Sequence, residues 1–242
     1  YQVATGGLSP ANIAAPLRTL LRPNDRSEVL LAAADDFDVA GRRVILAPEG
    51  DGISSVPYDT LIVAAGAQFN YFGHDEWRGL APGLKSIEDA TEIRRRVLLA
   101  FELAERQMQE TGIHPSLNFV IIGGGPTGVE LAGAISDIAK LYMAKDFRHI
   151  DPRMAQVLIL EGSPHILTAY PEYLQAKALE QLTRLGIEVR TNAHVSDIQP
   201  GYVMVGDERI DAGVTLWAAG VQASPLGKLC GFPTDKRGCL LV

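Results

Sequence analysis

Six consecutive residues, Gly123-Gly124-Gly125-Pro126-Thr127-Gly128, carry the first chemistry legible in this chain. They fit the spacing GxGxxG and stand between an apolar run, NFVII, and a second one that opens at Val129. Strand, glycine turn and helix in that order is the setting the spacing needs to hold a dinucleotide. The glycines divide the work. Gly123 permits the tight turn, Gly125 lets a diphosphate reach backbone N–H groups, and Gly128 lets the helix pack on its strand. The helix start then supplies unpaired donors and a partial positive charge.

Glu161 closes the next apolar run, VLILEG. An acidic side chain at that strand end accepts hydrogen bonds from both ribose hydroxyls and repels a 2′-phosphate. It stands further from the loop than the usual interval of about 20 residues, and the polar stretch DFRHIDPRMA accounts for the extra length. No arginine follows it, so NAD(H) is expected rather than NADP(H). Glu130 lies two residues past the last loop glycine, in the expected first turn of the helix. A carboxylate there suits the helix dipole without any ligand; a role at the nicotinamide is the other reading, and both stand open.

The elements that must position these residues alternate. Short apolar runs, EVLLAA, RRVILA and YDTLIVAAG, make Glu28 to Gly66 an expected β region around the polar stretch DDFDVAG. SIED opens a helix from Ser86 to about Gln109, with Ser86 as N-cap, Asp89 completing a capping box, and Ile93, Val97, Ala100 and Leu103 on one face. Gly112 and Pro115 end it. NFVIIGGG is an expected buried strand and Val129 to Met143 a second helix. QVLILEG is another strand. PEYLQAKALEQLTRLG is an amphipathic helix with Leu174, Ala178, Leu182 and Leu185 inward and Gly186 as its stop. IEVRT, YVMVGDERI and VTLWAAG are the remaining strands. This order implies an α/β fold with a Rossmann-like, doubly wound parallel sheet between about Lys85 and Gly220.

One internal echo adds to the picture. Thr60-Leu61-Ile62-Val63-Ala64-Ala65-Gly66 and Thr215-Leu216-Trp217-Ala218-Ala219-Gly220 are near copies, both ending in Ala-Ala-Gly. Small residues at a strand end let backbone approach a ligand closely, so two copies suggest two similar dinucleotide-binding units.

Bulk properties narrow the function classes. The 242 residues, 47% hydrophobic and 21% charged, suit one large or two small cored domains. A formal charge of −7 argues against a nucleic-acid partner. No apolar run approaches the roughly eighteen residues of a membrane span. Cys230 and Cys239 lack CxxC or zinc spacing and are expected to be inert thiols. The five histidines (His74, His114, His149, His165 and His194) are scattered and are expected on the surface or in loops, with no metal site.

Taken together, YQVATGGLSPANIAAPLR, YDTLIVAAG, GLKSIEDATEIR, FVIIGGGPTGVELAGAISDIAK and TLWAAGVQASPLGK resemble the type II NADH:quinone oxidoreductases. The resemblance implies a flavoprotein with two dinucleotide-binding domains, its FAD domain interrupted by an NADH domain. Residues 1–84 would be the second half of the FAD domain, 85–220 the NADH domain and 221–242 the return to the FAD domain. The family's FAD phosphate loop would precede Tyr1, and its second FAD-binding element and membrane-attaching helices would follow Val242. This chain alone is therefore expected to carry no stoichiometric FAD.

Carried over by residue, Gly123 through Gly128 and Glu161 would hold NADH. Ala219 and Gly220 would pass its nicotinamide half, and Glu130 would sit at the nicotinamide–flavin junction. Ala65 and Gly66 would lie on the FAD side, with Ala65 standing where many members carry Thr. The implied chemistry is hydride transfer from NADH to FAD and then to a membrane quinone. The implied setting is the cytoplasmic face of a membrane, held peripherally, with a homodimer among the expected states. The alternatives are a pyridine nucleotide-disulfide reductase and a non-catalytic NAD-binding module.

Overall fold

The computed structural model describes residues 1–22, 26–48, 52–113 and 115–241; His114 lies outside them. The chain divides into two compact units, Tyr1–Asn12 with Tyr71–Gly220, and Ile13–Asn70 with Val221–Val242.

The second of these begins with a short helix, Leu17–Leu21, and strands β1 (Ala34–Asp38), β2 (Arg43–Leu46) and β3 (Ser55–Pro57), which pair antiparallel in that order. Two expectations are corrected here. The first strand forms on the polar stretch ADDFD, not on EVLLAA, and Leu61–Gly66 runs as irregular chain up to β4 (Ala67–Phe69). A strand needs a neighbour for its N–H and C=O groups. Among the described residues β1 finds one in β2, whereas Leu31 and Ile62 stand 77% and 85% exposed.

In the larger unit the capping box forms as expected. The Ser86 side chain accepts from Asp89 N–H at 3.1 Å and the Asp89 carboxylate accepts from Ser86 N–H at 2.9 Å. They open α1 (Ile87–Thr111), which Gly112 closes. Its buried face is Ile93, Val97, Phe101 and Ala104; Leu103, expected inward, is 45% exposed. Ala100, also expected inward, packs partly buried on the core, and Phe101 takes the place expected of Leu103, its ring meeting Phe119 at 5.4 Å and Phe147 at 6.1 Å.

β5 (Asn118–Ile122) leads through the glycine turn into α2 (Pro126–Asp137), which continues as a π-helical turn over Ile138–Tyr142. β6 (Gln156–Leu160), α3 (Glu172–Arg184) and β7 (Ile187–Arg190) follow. Only Leu182 of the expected α3 face is fully buried; Ala178 packs on the core, while Leu174 and Leu185 are exposed. The stripe meets the core at its middle, and its two ends lie over solvent.

The segment after β7 departs most from the sequence reading. β8 (Val195–Gln199), β9 (Tyr202–Val205) and β10 (Glu208–Asp211) form an antiparallel meander of their own, with YVMVGDERI making a hairpin rather than one strand. Gly206-Asp207 is its turn, as two-residue hairpin loops favour. β11 (Val214–Trp217) then returns to the parallel sheet, whose order is β11-β5-β6-β7. Phe119, Ile121, Val157, Ile159, Ile187 and Leu216 face one core with α1 and α2. β12 (Val221–Ala223) leaves this unit and pairs antiparallel with β4. Each partner directly follows the Ala-Ala-Gly of one echo copy.

One carboxylate clamps the loop that leads into β6. Glu105 on α1 accepts from the backbone N–H of Arg148, His149 and Ile150, and lies 2.7 Å from His149 Nδ1. Burial opposes its charge, but the His149 side chain and the three N–H donors outweigh it and hold the carboxyl down at about 2. Its folded value lies below its ordinary one of 4.5. The clamp is therefore whole above pH 4.5 and is lost as pH falls through about 2. Glu105→Gln is expected to lower the melting temperature at neutral pH and to remove part of the wild type's decline over that acid range. Thermal melts across it check this; parallel curves for the two proteins would contradict it.

Candidate functional site

The ends of β5, β6 and β11 and the loop after β7 open onto one cavity of about 610 Å³, a size common for small-molecule sites. Gly123, Gly124 and Gly125 line it together with Glu161, Gly162, Ser163, His194 and Ala218 through Gly220. Parallel sheets bind ligands beyond the carboxyl ends of their strands for the reason seen here: the strands stop and helix N-termini face the gap.

The glycine turn is built by contact as much as by conformation. Gly123 has φ +111°, and a Cβ on it would stand 2.6 Å from the backbone of Ala218 and Ala219. A Cβ on Gly128 would meet the Gly123 carbonyl oxygen at 1.9 Å, so α2 lies on the turn itself. Gly124, given a share in NADH binding but no separate geometric role, is also constrained: its Cβ would meet Ile166 Cγ2 at 2.6 Å. Gly125 differs. A Cβ there would point into open space, and its backbone is ordinary extended chain at the N-cap of α2. No side chain caps this helix, Pro126 has no N–H, and the N–H groups of Gly125, Thr127 and Gly128 have no acceptor among the described residues. That is a prepared anion seat. Pro126 and Thr127 are on the helix side of it and do not line the cavity.

Glu161 stands at the end of β6 with its carboxylate already oriented. Oε2 accepts from Gly124 N–H at 2.6 Å and Oε1 from Ser163 N–H at 2.7 Å. A carboxylate has about four acceptor positions, so both oxygens retain capacity for two ribose hydroxyls. The loop glycine and the acid are thus one hydrogen-bonded piece.

At the β11 end an aromatic wall appears that the sequence reading missed. Phe72, His74, Trp77 and Trp217 line the cavity there. Trp217 packs on Tyr71 at 4.8 Å and Trp77 at 5.8 Å, and His74 stacks on Trp77 at 4.0 Å. Tyr71 O–H donates to the Ala81 carbonyl at 2.9 Å, and the backbone N–H of Trp217 donates to the Pro82 carbonyl at 3.0 Å. Those bonds fix the wall against β11. Only Trp217, inside the echo, lay in a segment that could have signalled it.

The remaining predicted residues fall as follows. Ala219 and Gly220 line the cavity beside Gly123. Glu130 is exposed, outside the cavity lining, and is the fifth residue of α2, beyond its first turn. This corrects the placement given above and weakens the dipole reading, because the dipole's effect fades after one turn. Ala65 and Gly66 are exposed in the other unit, Gly66 with left-handed backbone like Gly220. The four described histidines are exposed, and no His/Cys/Asp/Glu cluster among the described residues could hold a metal. Cys230 is buried, which pushes its thiol up and away from thiolate chemistry; Cys239 is exposed.

With this geometry in hand, the comparison with known proteins is direct. The model of the pyridine nucleotide-disulphide oxidoreductase family matches residues 2–242. The chain belongs to that family. Within this family of oxidoreductases it is 42% identical over 233 residues to a type II NADH:quinone oxidoreductase of Mycobacterium tuberculosis, covering 94% of this chain and 50% of the relative. A second such enzyme of that organism is 40% identical, covering 100% of this chain and 53% of the relative. The chain spans about half the length of the curated relatives it matches. Among solved structures, NDH2 from Plasmodium falciparum in complex with NADH aligns with a TM-score of 0.80 at 22% identity, over 96% of this chain and 49% of that one. At that identity the likeness shows the fold.

Proposed function

We propose that this chain carries the NADH-binding part of a flavin-dependent NADH:quinone oxidoreductase. The observation that supports it most is the joined pair of Gly124 N–H and the Glu161 carboxylate beside the uncapped start of α2. One end offers donors to a diphosphate, the other offers acceptors to ribose hydroxyls, and a 2′-phosphate would meet negative charge. The relatives named as NADH:quinone oxidoreductases support the same reading for the whole protein.

In this account residues 85–220 are the NADH domain, and 1–84 with 221–242 contribute to the FAD domain; of these, 1–12 and 71–84 pack in the NADH unit. Thr127 and Gly128 N–H hold the diphosphate, and Glu161 orients the adenosine ribose. Ala218 through Gly220, with no side chain beyond a methyl, leave room for the nicotinamide half beside the aromatic wall. The residues of this chain we assign to FAD are Ala65 and Gly66, which fit it in being open, small-residue backbone. FAD when bound supplies the hydride acceptor. The protein's part is to position NADH and keep water out, which needs no triad or metal.

We further propose peripheral attachment to the cytoplasmic face of a membrane, and a homodimer. Among the described residues no helix is long and apolar enough to cross a membrane. The reaction is tested with the enzyme containing this chain, by following NADH oxidation with a quinone and with a disulfide as acceptor. Quinone reduction is expected. Disulfide reduction without quinone reduction would overturn the proposal.

Glu130 is assigned to the nicotinamide–flavin junction. Glu130→Gln keeps the shape and removes the charge. It is expected to slow turnover severalfold with little change in melting temperature, read from kcat and KM for NADH and quinone beside a thermal melt. Unchanged kinetics would remove Glu130 from the mechanism.

A further inference from the structure

We propose that His194 is the platform for the adenine ring of the dinucleotide, an inference that rests on the NADH reading of the same cavity. The loop carrying it is tied to the Glu161 turn by two backbone bonds. Asn192 N–H donates to the Ser163 carbonyl at 3.0 Å, and Ala193 N–H to the Glu161 carbonyl at 2.9 Å. His194 therefore has a fixed place beside the ribose-binding acid rather than a loose one.

Gly162, the residue after Glu161, shows where the imidazole lies. A Cβ on Gly162 would stand 2.8 Å from both Cε1 and Nδ1 of His194. Gly162 does not have left-handed backbone, so it is the ring, and not the conformation, that a side chain there would meet. The imidazole rests in a notch made by a missing Cβ. His194 is nevertheless exposed, and it makes no hydrogen bond or ion pair with the other described residues. Its open surface lines the cavity with Gly162, Ser163 and Val195.

A ribose whose hydroxyls meet Glu161 sends its two substituents apart. The diphosphate goes toward Gly125, and the base goes toward the β7 side, where His194 and Val195 stand. Stacking of a base on an aromatic ring commonly contributes about tenfold or more in affinity.

The test measures binding of NADH, ADP-ribose and reduced nicotinamide mononucleotide to the wild type, His194→Ala and His194→Tyr. NADH fluorescence and competition give the constants. His194→Ala is expected to weaken NADH and ADP-ribose about tenfold and leave the mononucleotide, which lacks adenine, unchanged. His194→Tyr is expected to restore most of the loss. Unchanged NADH affinity in His194→Ala would overturn the inference. Equal weakening of all three ligands would overturn it too, because it marks a distorted cavity. Failure of the NADH reading itself would show earlier, as a wild type that binds neither NADH nor ADP-ribose.

Discussion

Gly128→Ala is expected to lower the melting temperature by roughly 6–12 °C, while Gly125→Ala leaves the melt unchanged and weakens dinucleotide binding about tenfold or more. The two glycines look alike in the sequence and differ in what surrounds them. An alanine methyl at 128 would stand 1.9 Å from the Gly123 carbonyl oxygen and 3.3 Å from Ala218 Cβ. The first of those neighbours is backbone and cannot rotate away. The helix must then lift from the turn, at a cost of about 3 kcal/mol, the upper part of the usual range for overpacking. At 125 the methyl meets nothing within 4 Å and the backbone accepts any L residue. Its only effect is to occupy the space a diphosphate needs. Thermal melts and calorimetric titration with NADH check both halves. A stable Gly128→Ala, or a Gly125→Ala that binds normally, would contradict the role given to each.

The wild type is expected to prefer NADH over NADPH on the order of a hundredfold, and Glu161→Ala is expected to bring the two affinities close together. The carboxylate acts twice in this preference. It accepts two ribose hydroxyls, and it puts negative charge where NADPH carries its phosphate. Glu161→Ala loses the first and removes the second, so NADH weakens more than NADPH. The substitution also strips the acceptors from Gly124 and Ser163 N–H, now met at 2.6 and 2.7 Å. Part of the lost NADH affinity will therefore come from a loosened turn. That shared part cancels in the NADH-to-NADPH ratio, which is why the ratio is the quantity to measure. Equal affinities in the wild type, or an unchanged ratio in Glu161→Ala, would sink this assignment.

What could be read from the sequence was what local chemistry dictates. Gly123 through Gly128 between a strand and a helix could fold in few other ways, and the capping box at Ser86 and Asp89 formed as written. The parallel sheet followed from the alternation of elements. The losses came where tertiary partners decide. ADDFD became a strand because β2 lies beside it, and the more apolar EVLLAA did not. The β9–β10 hairpin replaced a single expected strand because Gly206-Asp207 turns the chain back. Phe101 outranked Leu103 through contacts with Phe119 and Phe147, neither of them near in sequence. In the site, the acid and the glycines were legible by type and spacing. The aromatic wall and His194 were not, since Phe72 and His194 reach the cavity from loops and Trp77 from a short 3-10 helix, none of them carrying a motif.

The central claim is that the start of α2 and Glu161 together hold one dinucleotide. A crystal structure of the protein with NADH tests it most directly. The account predicts the diphosphate within hydrogen-bonding distance of the Thr127 and Gly128 N–H groups. It predicts the adenosine ribose hydroxyls on the Glu161 carboxylate and the nicotinamide half beside Ala218 through Gly220. A dinucleotide bound elsewhere, or bound here in the reverse direction with its nicotinamide half beside Glu161, would contradict it.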